Sequence, residues 1–243
     1  MAGDRYFWWD VGYCRSEYYN SLTKLSIQLN SARTEEALPE GRAFHNMVTY
    51  GNKIILYGGH NSSILQNYYS FNVSEEKWVA VPHISGHYPD KVEKQSCVLF
   101  DMLLVFFGGY YCSHDFEYEA CYNSIFVLDI ENMRWVDQIE VHGQKPPGRF
   151  AHTAALIDSD MYVFGGIHNS AENIYLNDIW RINLSRVNEL SWVELKPRGR
   201  RPSPRHGHTM NALHNYLVVF GGHSEKGDFL NDVFIYNTAE EEW

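Results

Sequence analysis

The chain has no run of 18 apolar residues, so no segment reads as a helix that crosses a membrane. It has no positive excess either. Its 20 Lys and Arg stand against 30 Asp and Glu, a formal charge of −10. That is the wrong sign for neutralising nucleic-acid phosphates, so neither a nucleic acid nor a membrane is expected as a partner. Cysteine is scarce: Cys14, Cys97, Cys112 and Cys121 are too few for a disulfide framework in 243 residues. The opening stretch, Met1-Ala2-Gly3-Asp4-Arg5-Tyr6-Phe7-Trp8-Trp9-Asp10, has acids early and no apolar segment of the kind a secretory leader needs. A reducing compartment is therefore expected, the cytoplasm with the nucleus open, and the sequons at Asn61, Asn72 and Asn183 read as chance. No stretch longer than ten residues repeats its apolar positions at the helical period, so helices are expected to be few. No Ser/His/Asp arrangement and no phosphate-binding loop is found.

Against these absences stand four copies of one pattern, an apolar strand that ends on two glycines. The pairs are Gly58-Gly59, Gly108-Gly109, Gly165-Gly166 and Gly221-Gly222, spaced 50, 57 and 56 residues apart. A period in that range points to a propeller or another repeat array. Sixteen residues before the first glycine stands an arginine, followed three residues on by a histidine, in three copies: Arg42/His45, Arg149/His152 and Arg205/His208. The second copy has Val92 and Gln95 instead. Downstream, Asn123, Asn177 and Asn231 each precede another strand, with Asn67 as a looser counterpart, and each unit closes on a tryptophan: Trp78, Trp135, Trp192 and Trp243. Runs of aromatic and β-branched residues bounded by Gly, Asn, Asp and Pro read as short strands. Glycine at a strand end permits positive φ and close backbone approach, and tryptophan offers a large apolar face for packing. Both are read as structural.

Together these motifs resemble the kelch repeat over about 200 of the 243 residues. The resemblance implies an all-β fold, a kelch-type β-propeller of four-stranded units. The units are 42–91, 92–148, 149–204 and a shortened 205–243, after an N-terminal segment, 1–41, holding a partial blade. Residues 25–29 read as a closing strand and Tyr6–Val11 as the strand before it. Kelch propellers usually carry more than four blades, so the resemblance implies part of a larger ring; the alternative is four blades closed by the N-terminal strand as a clasp.

Function in such a fold is expected in the loops, because blade interiors are committed to packing. The longest loop after a double glycine, 110–122, holds four tyrosines and four acidic or histidine residues in thirteen positions. Tyr110, Tyr111, Asp115, Glu117 and Tyr118 are its candidate partner contacts, since rigid amphipathic rings supply contact area cheaply. A second candidate is the segment Lys196–Arg205, with five positive charges in ten residues. There Arg198, Arg200 and Arg201 suit an acidic peptide or a free carboxyl terminus. By resemblance, Arg42, Arg149 and Arg205 are carried over as rim contacts, with Phe44, Phe150 and His206 beside them. The histidines at the third position are read as buried hydrogen-bonding groups. Cys112, His114 and Cys121 match no zinc-ligand spacing, and no metal or cofactor is expected.

The resemblance thus implies a non-enzymatic module that presents loops to a protein or peptide partner, of scaffold or ubiquitin-ligase substrate-receptor type. The alternative is a regulatory propeller of a larger enzyme such as a protein phosphatase. A metal-dependent propeller enzyme is a further alternative, whose ligand patterns the chain does not contain.

Overall fold

The computed structural model of the chain describes residues 38–81, 83–113, 119–169 and 173–243. The strands expected at 25–29 and Tyr6–Val11 lie outside the described residues, as do Asp115, Glu117 and Tyr118.

All regular structure among the described residues is β, arranged as four blades of a β-propeller. The first blade is an antiparallel meander of β1 (Asn46–Tyr50), β2 (Lys53–Tyr57), β3 (Tyr68–Asn72) and β4 (Lys77–Val81). The second has β5 (Ser96–Phe100), β6 (Leu103–Phe107), a side hairpin of β7 (Tyr110–Cys112) and β8 (Glu119–Cys121), then β9 (Ile125–Asp129) and β10 (Arg134–Trp135). A strand that follows it, β11 (Glu140–His142), leaves the second unit's sheet and pairs in parallel with β17 of the third. The third blade runs β12 (Thr153–Ile157), β13 (Asp160–Phe164), a small hairpin of β14 (Ile167–His168) and β15 (Ile174–Tyr175), then β16 (Ile179–Asn183) and β17 (Glu189–Leu195). The fourth has β18 (Arg205–His206), β19 (Thr209–Leu213), β20 (Tyr216–Ser224) and β21 (Phe229–Asn237), with the segment around Glu242 bridging back to Asn237.

The hairpins joining β1 to β2, β5 to β6, β12 to β13 and β19 to β20 are two-residue turns whose leading residue has positive φ. Gly51, Asp101, Asp158 and His214 take these positions, at 56°, 52°, 53° and 52°. Such turns match the twist of the strands they join. First strands of successive blades lie side by side, β1 by β5, β5 by β12 and β12 by β19, and form the inner wall.

Three apolar clusters lie between the blades, and each is closed by the tryptophan of the later blade. Trp135 meets Tyr57 edge-on at 5.7 Å, Trp192 packs on Phe107 at 4.8 Å, and Trp243 packs on Phe164 at 5.2 Å. The partner is always the aromatic residue that precedes a double glycine one blade earlier. Trp135 and Trp192 are buried, whereas Trp78 and Trp243 are half-buried. On the fourth blade, Phe220, the counterpart of the buried Phe107 and Phe164, is 50% exposed beside Val233 and Ile235.

The double glycines are the joints. Gly108 (φ 70°) and Gly165 (φ 64°) have no room for a Cβ, which would sit 2.5 Å from the Arg149 carbonyl and 2.8 Å from that of Arg205 respectively. The next glycine donates its N–H to the same carbonyl, Gly109 to Arg149 and Gly166 to Arg205, both at 2.8 Å. The backbone of one blade's arginine is thereby seated in the preceding blade's double-glycine turn.

The side chains of these arginines turn back into their own blades. The Nη1 groups of Arg42, Arg149 and Arg205 donate to the carbonyls of Gly58, Gly165 and Gly221 at 2.9, 3.1 and 3.0 Å. Arg149 also grips Asp178 with two bonds of 2.8 and 2.7 Å, and Arg205 grips Asp232 with 2.6 and 3.0 Å. In the first blade the acceptor is the neutral Asn67, 2.5 Å from Arg42 Nη1. Fork-to-carboxylate pairs of this kind are among the strongest polar contacts available. The guanidiniums hold the Asp178 and Asp232 carboxyls below their ordinary range; burial opposes this and is the largest influence at Asp178.

Of the histidines three positions on, His152 and His208 are buried, as expected, and link blades, whereas His45 is half-buried. His152 Nε2 lies 2.8 Å from Ser96 Oγ and His208 Nε2 lies 2.7 Å from Thr153 Oγ1, each on the first strand of the preceding blade. Burial, with the nearby arginine adding to it, pushes both below the ordinary imidazole value, His208 to about 3.

Arg149→Met leaves Asp178 without its cation and is expected to cost about 3 kcal/mol, with a matching fall in Tm on calorimetry. A loss under about 1 kcal/mol would show that the pair is not a main support of the blade. Acid titration gives a second check. His152 and His208 have folded pKa values below their unfolded value near 6.5, so the unfolded chain binds the extra protons. Stability is therefore full above about pH 6.5 and falls as the pH drops, by roughly 1 kcal/mol per pH unit for each histidine. The carboxyls of Asp178 and Asp232 add to the loss below about pH 4. Denaturant unfolding at pH 7.5, 6 and 5 is expected to show that slope, and His208→Gln is expected to reduce it by about one proton's share.

Candidate functional site

The geometry corrects the expectation placed on Arg42, Arg149 and Arg205. All three are buried, with relative exposures of 7%, 0% and 0%, and their head groups serve the internal contacts described above rather than the rim. The physical reason is the sixteen-residue spacing, which sets each arginine beside the double-glycine turn of its own blade, where the guanidinium meets the first glycine's carbonyl. Phe150 and His206 are buried as well, at 4% and 3%, while Phe44 is half-buried.

The second unit shows why Val92 stands alone. Its counterpart to Asp178 and Asp232, the residue after the asparagine that recurs as Asn123, Asn177 and Asn231, is Ser124. Cation and anion are absent together, so neither is left buried without a partner. Val92 instead lines a small cleft with Leu65, Gln95, Phe106 and Trp135.

Residues around the loop face are brought together differently from the expectation. The Lys94 ammonium sits 4.6 Å from the ring centre of Phe44, 5.6 Å from Tyr110 and 5.8 Å from Phe150, rings supplied by three consecutive blades. Glu93 pairs with it at 3.0 Å. Cation–π attraction of this sort contributes about 0.5–2 kcal/mol depending on how dry the site is. Lys94 occupies a backbone position with φ 57°, equivalent to Phe44 (57°), Ala151 (52°) and Gly207 (φ 62°). Ala151 donates its N–H to the Lys94 carbonyl, and Gly207 donates to the Ala151 carbonyl, at 3.1 and 2.9 Å. These residues thus run from blade to blade at the mouth of the inner wall.

The aromatic surface continues across the last two blades. His206 stacks on His223 at 5.3 Å and meets Tyr175 at the same distance, and His223 lies 3.9 Å from Phe229. Burial lowers His206 to about 4, with the charges of His223 and Lys94 acting in the same direction, so its ring is neutral at ordinary pH. Phe229, at the tip of the β20–β21 hairpin, is 74% exposed. Tyr110 and Tyr111 belong to the neighbouring β7–β8 hairpin and are half-buried. In the basic segment Arg198, Arg200 and Arg201 are exposed. Arg198 pairs with Glu242 at 3.4 Å and donates to the Glu240 carbonyl at 3.2 Å.

No group of three or more His, Cys, Asp or Glu side chains fit to hold a metal ion is found among the described residues. The Cys121 thiol, which burial pushes up, lies 3.3 Å from the Gly148 carbonyl and 3.4 Å from His168 Nδ1. The described residues here offer flat rings, the neutral imidazole of His206 and a caged ammonium, and the chain also exposes a basic loop.

Lys94, Tyr175, His223 and Phe229 were not singled out by the repeat pattern. A signal for Lys94 existed in the register, since it stands two residues after Val92 where the other units have Phe44, Ala151 and Gly207.

The joint absence at Val92 and Ser124 makes a testable claim. Val92→Arg alone is expected to destabilise the fold by burying an unmatched charge, and adding Ser124→Asp is expected to recover about 2 kcal/mol in a double-mutant cycle. Additive effects of the two changes would contradict the pairing.

Comparison with known proteins is consistent with this geometry. Kelch domain-containing protein 3 of Homo sapiens is 26% identical across 96% of this chain, which spans 65% of that protein's length. Kelch domain-containing protein 2 of Bos taurus is 28% identical across 93% of this chain and 58% of its own. The Rho GTPase-activating protein gacHH of Dictyostelium discoideum is 32% identical over 58% of this chain but only 9% of its own. The chain thus spans less than two thirds of each of these relatives. A family model matches residues 9–138 and again 103–243, and by that match, the four-blade fold and the repeated motifs, the chain belongs to the kelch-repeat family described as the KLHDC2/KLHL20/DRC7 Kelch-repeats domain.

Proposed function

We propose that this chain is a non-enzymatic interaction module that presents the loop face of its propeller to a protein or peptide partner carrying acidic groups. The observation that carries the reading is a pair of ring groups drawn from four blades, Phe44 and Tyr110 around Lys94, and Tyr175, His223 and Phe229 around His206, on a chain that also exposes Arg198, Arg200 and Arg201. Rings with few rotatable bonds lose little entropy on binding, and exposed guanidiniums steer and orient carboxylates. Scaffold and ubiquitin-ligase substrate-receptor roles are both compatible with such a module. The proposal includes a reducing compartment, cytoplasm or nucleus, in keeping with Cys97, Cys112 and Cys121 standing outside any disulfide.

A second reading is a regulatory propeller within a larger protein. Its support is the match to gacHH, named a Rho GTPase-activating protein, of which this chain corresponds to 9%.

Capture of partners from lysate is expected to separate surface from scaffold. The parent chain is compared with Lys94→Met/Phe229→Ser and with Arg200→Glu/Arg201→Glu, each first checked for an unchanged melting curve. A partner held by the parent and lost at least about tenfold in either variant supports the loop face, since a central contact is worth about 1.4 kcal/mol or more. Partners retained by both variants would contradict it.

A further inference from the structure

The basic segment holds one hydroxyl, that of Ser203, at a station where the other units carry Glu40, Asp90 and Pro147. Ser203 is itself exposed and lies outside any strand, between the buried Pro202 and the half-buried Pro204, two residues after Arg201. A residue that precedes proline is steered to extended backbone, the form in which a kinase cleft takes its substrate. Its Oγ accepts a 3.1 Å bond from Nη2 of the buried Arg205, and its carbonyl accepts Arg205 Nε at 3.1 Å. We propose that Ser203 is a phosphorylation site for a proline-directed serine kinase, and that the phosphate is clamped by Arg205 and the neighbouring arginines.

In the transfer, Ser203 Oγ gives its proton to the kinase's catalytic aspartate and bonds to the γ-phosphorus of ATP. The bond from that phosphorus to the bridging oxygen breaks, and ADP leaves. The product carries close to two negative charges and three strong acceptor oxygens on the atom that already meets Arg205.

The repeat itself shows that this position accommodates negative charge. Two residues before the arginine position stand Glu40, Asp90, Pro147 and Ser203 in the four units. In the first and third units, as in the fourth, the carbonyl of this residue accepts the arginine's Nε: Glu40 from Arg42 at 3.1 Å and Pro147 from Arg149 at 3.2 Å. The geometry is thus shared, and in the first unit an anion already works there: Glu40 accepts a 3.0 Å bond from Asn61 of the loop after the double glycine. A phosphate on Ser203 would place an anion at the same station. There it would draw on Arg205, which Asp232 now holds, and on Arg200, whose charge reaches Asp232. Asp232, with 40% of its side chain exposed, has solvent to turn to when a stronger anion takes the guanidinium. The change also lowers the segment's charge from five positive by close to two, which bears on the loop without depending on the function proposed above.

The test uses the whole chain, a purified proline-directed serine kinase and ATP, beside the free peptide 196–208 and the Ser203→Ala chain. Phosphate located on Ser203 by mass spectrometry in the parent chain, and absent there in the variant, is the expected result. Phosphorylation of the peptide but not the folded chain would overturn the site, because the fold would then conceal it, and failure of both would overturn it as well. Phosphorus NMR titration tests the clamp. The second ionisation of phosphoserine lies near 6, and in the folded chain it is expected at least about half a pH unit below its value in the phosphorylated peptide. Equal values in chain and peptide would overturn the clamp.

Discussion

Arg149 and Arg205 each perform two jobs at once, and the propeller depends on both. The backbone carbonyl of each is gripped by the double-glycine turn of the preceding blade, while the side chain reaches the double glycine of its own blade. A glycine carbonyl that would otherwise be buried without a donor is thereby satisfied, and the guanidinium in turn is neutralised by an aspartate. Blade position and blade interior are set by one residue. A side chain at the glycine would strike the arginine carbonyl, so the glycine pair and the arginine belong to a single contact.

The hydrophobic contribution follows the same direction along the chain. Trp135, Trp192 and Trp243 each reach back to the aromatic residue before the preceding double glycine, and His152 and His208 reach back to the preceding first strand. Polar and apolar ties both run from a blade to its predecessor. Large apolar side chains fill the wedge between sheets, and directional bonds fix how far each sheet turns.

With the strongly polar residues of the repeat used inside, the loop face is left to residues that the repeat does not dictate. The left-handed position after each blade entry holds Phe44, Lys94, Ala151 and Gly207, a set with no common chemistry. The backbone there is shared and the side chain is not, so one unit can contribute an ammonium and another a ring. The hairpins after the double glycines vary in the same way, from the short β14–β15 to the long, paired β20–β21. A scaffold of repeated joints thus carries a face that is particular to this chain.

The sequence by itself determined the strands, their number per unit, the turns and the register, because the double glycine, the arginine and the tryptophan recur at spacings that a single backbone pattern satisfies. The pairing of Arg149 with Asp178 and of Val92 with Ser124 was legible too, had the residue after each recurring asparagine been read against the arginine. Only the tertiary structure decided that the arginines are internal, since a charged residue at a strand start looks exposed until its distant carboxylate and glycine carbonyl are in place. The caged Lys94 was likewise hidden, because Phe44, Lys94, Tyr110 and Phe150 are separated by 50, 16 and 40 residues and meet through the curvature of the ring. Local patterns encode local geometry, whereas a surface assembled from neighbouring blades exists only once burial and blade-to-blade bonding have closed the angle between them.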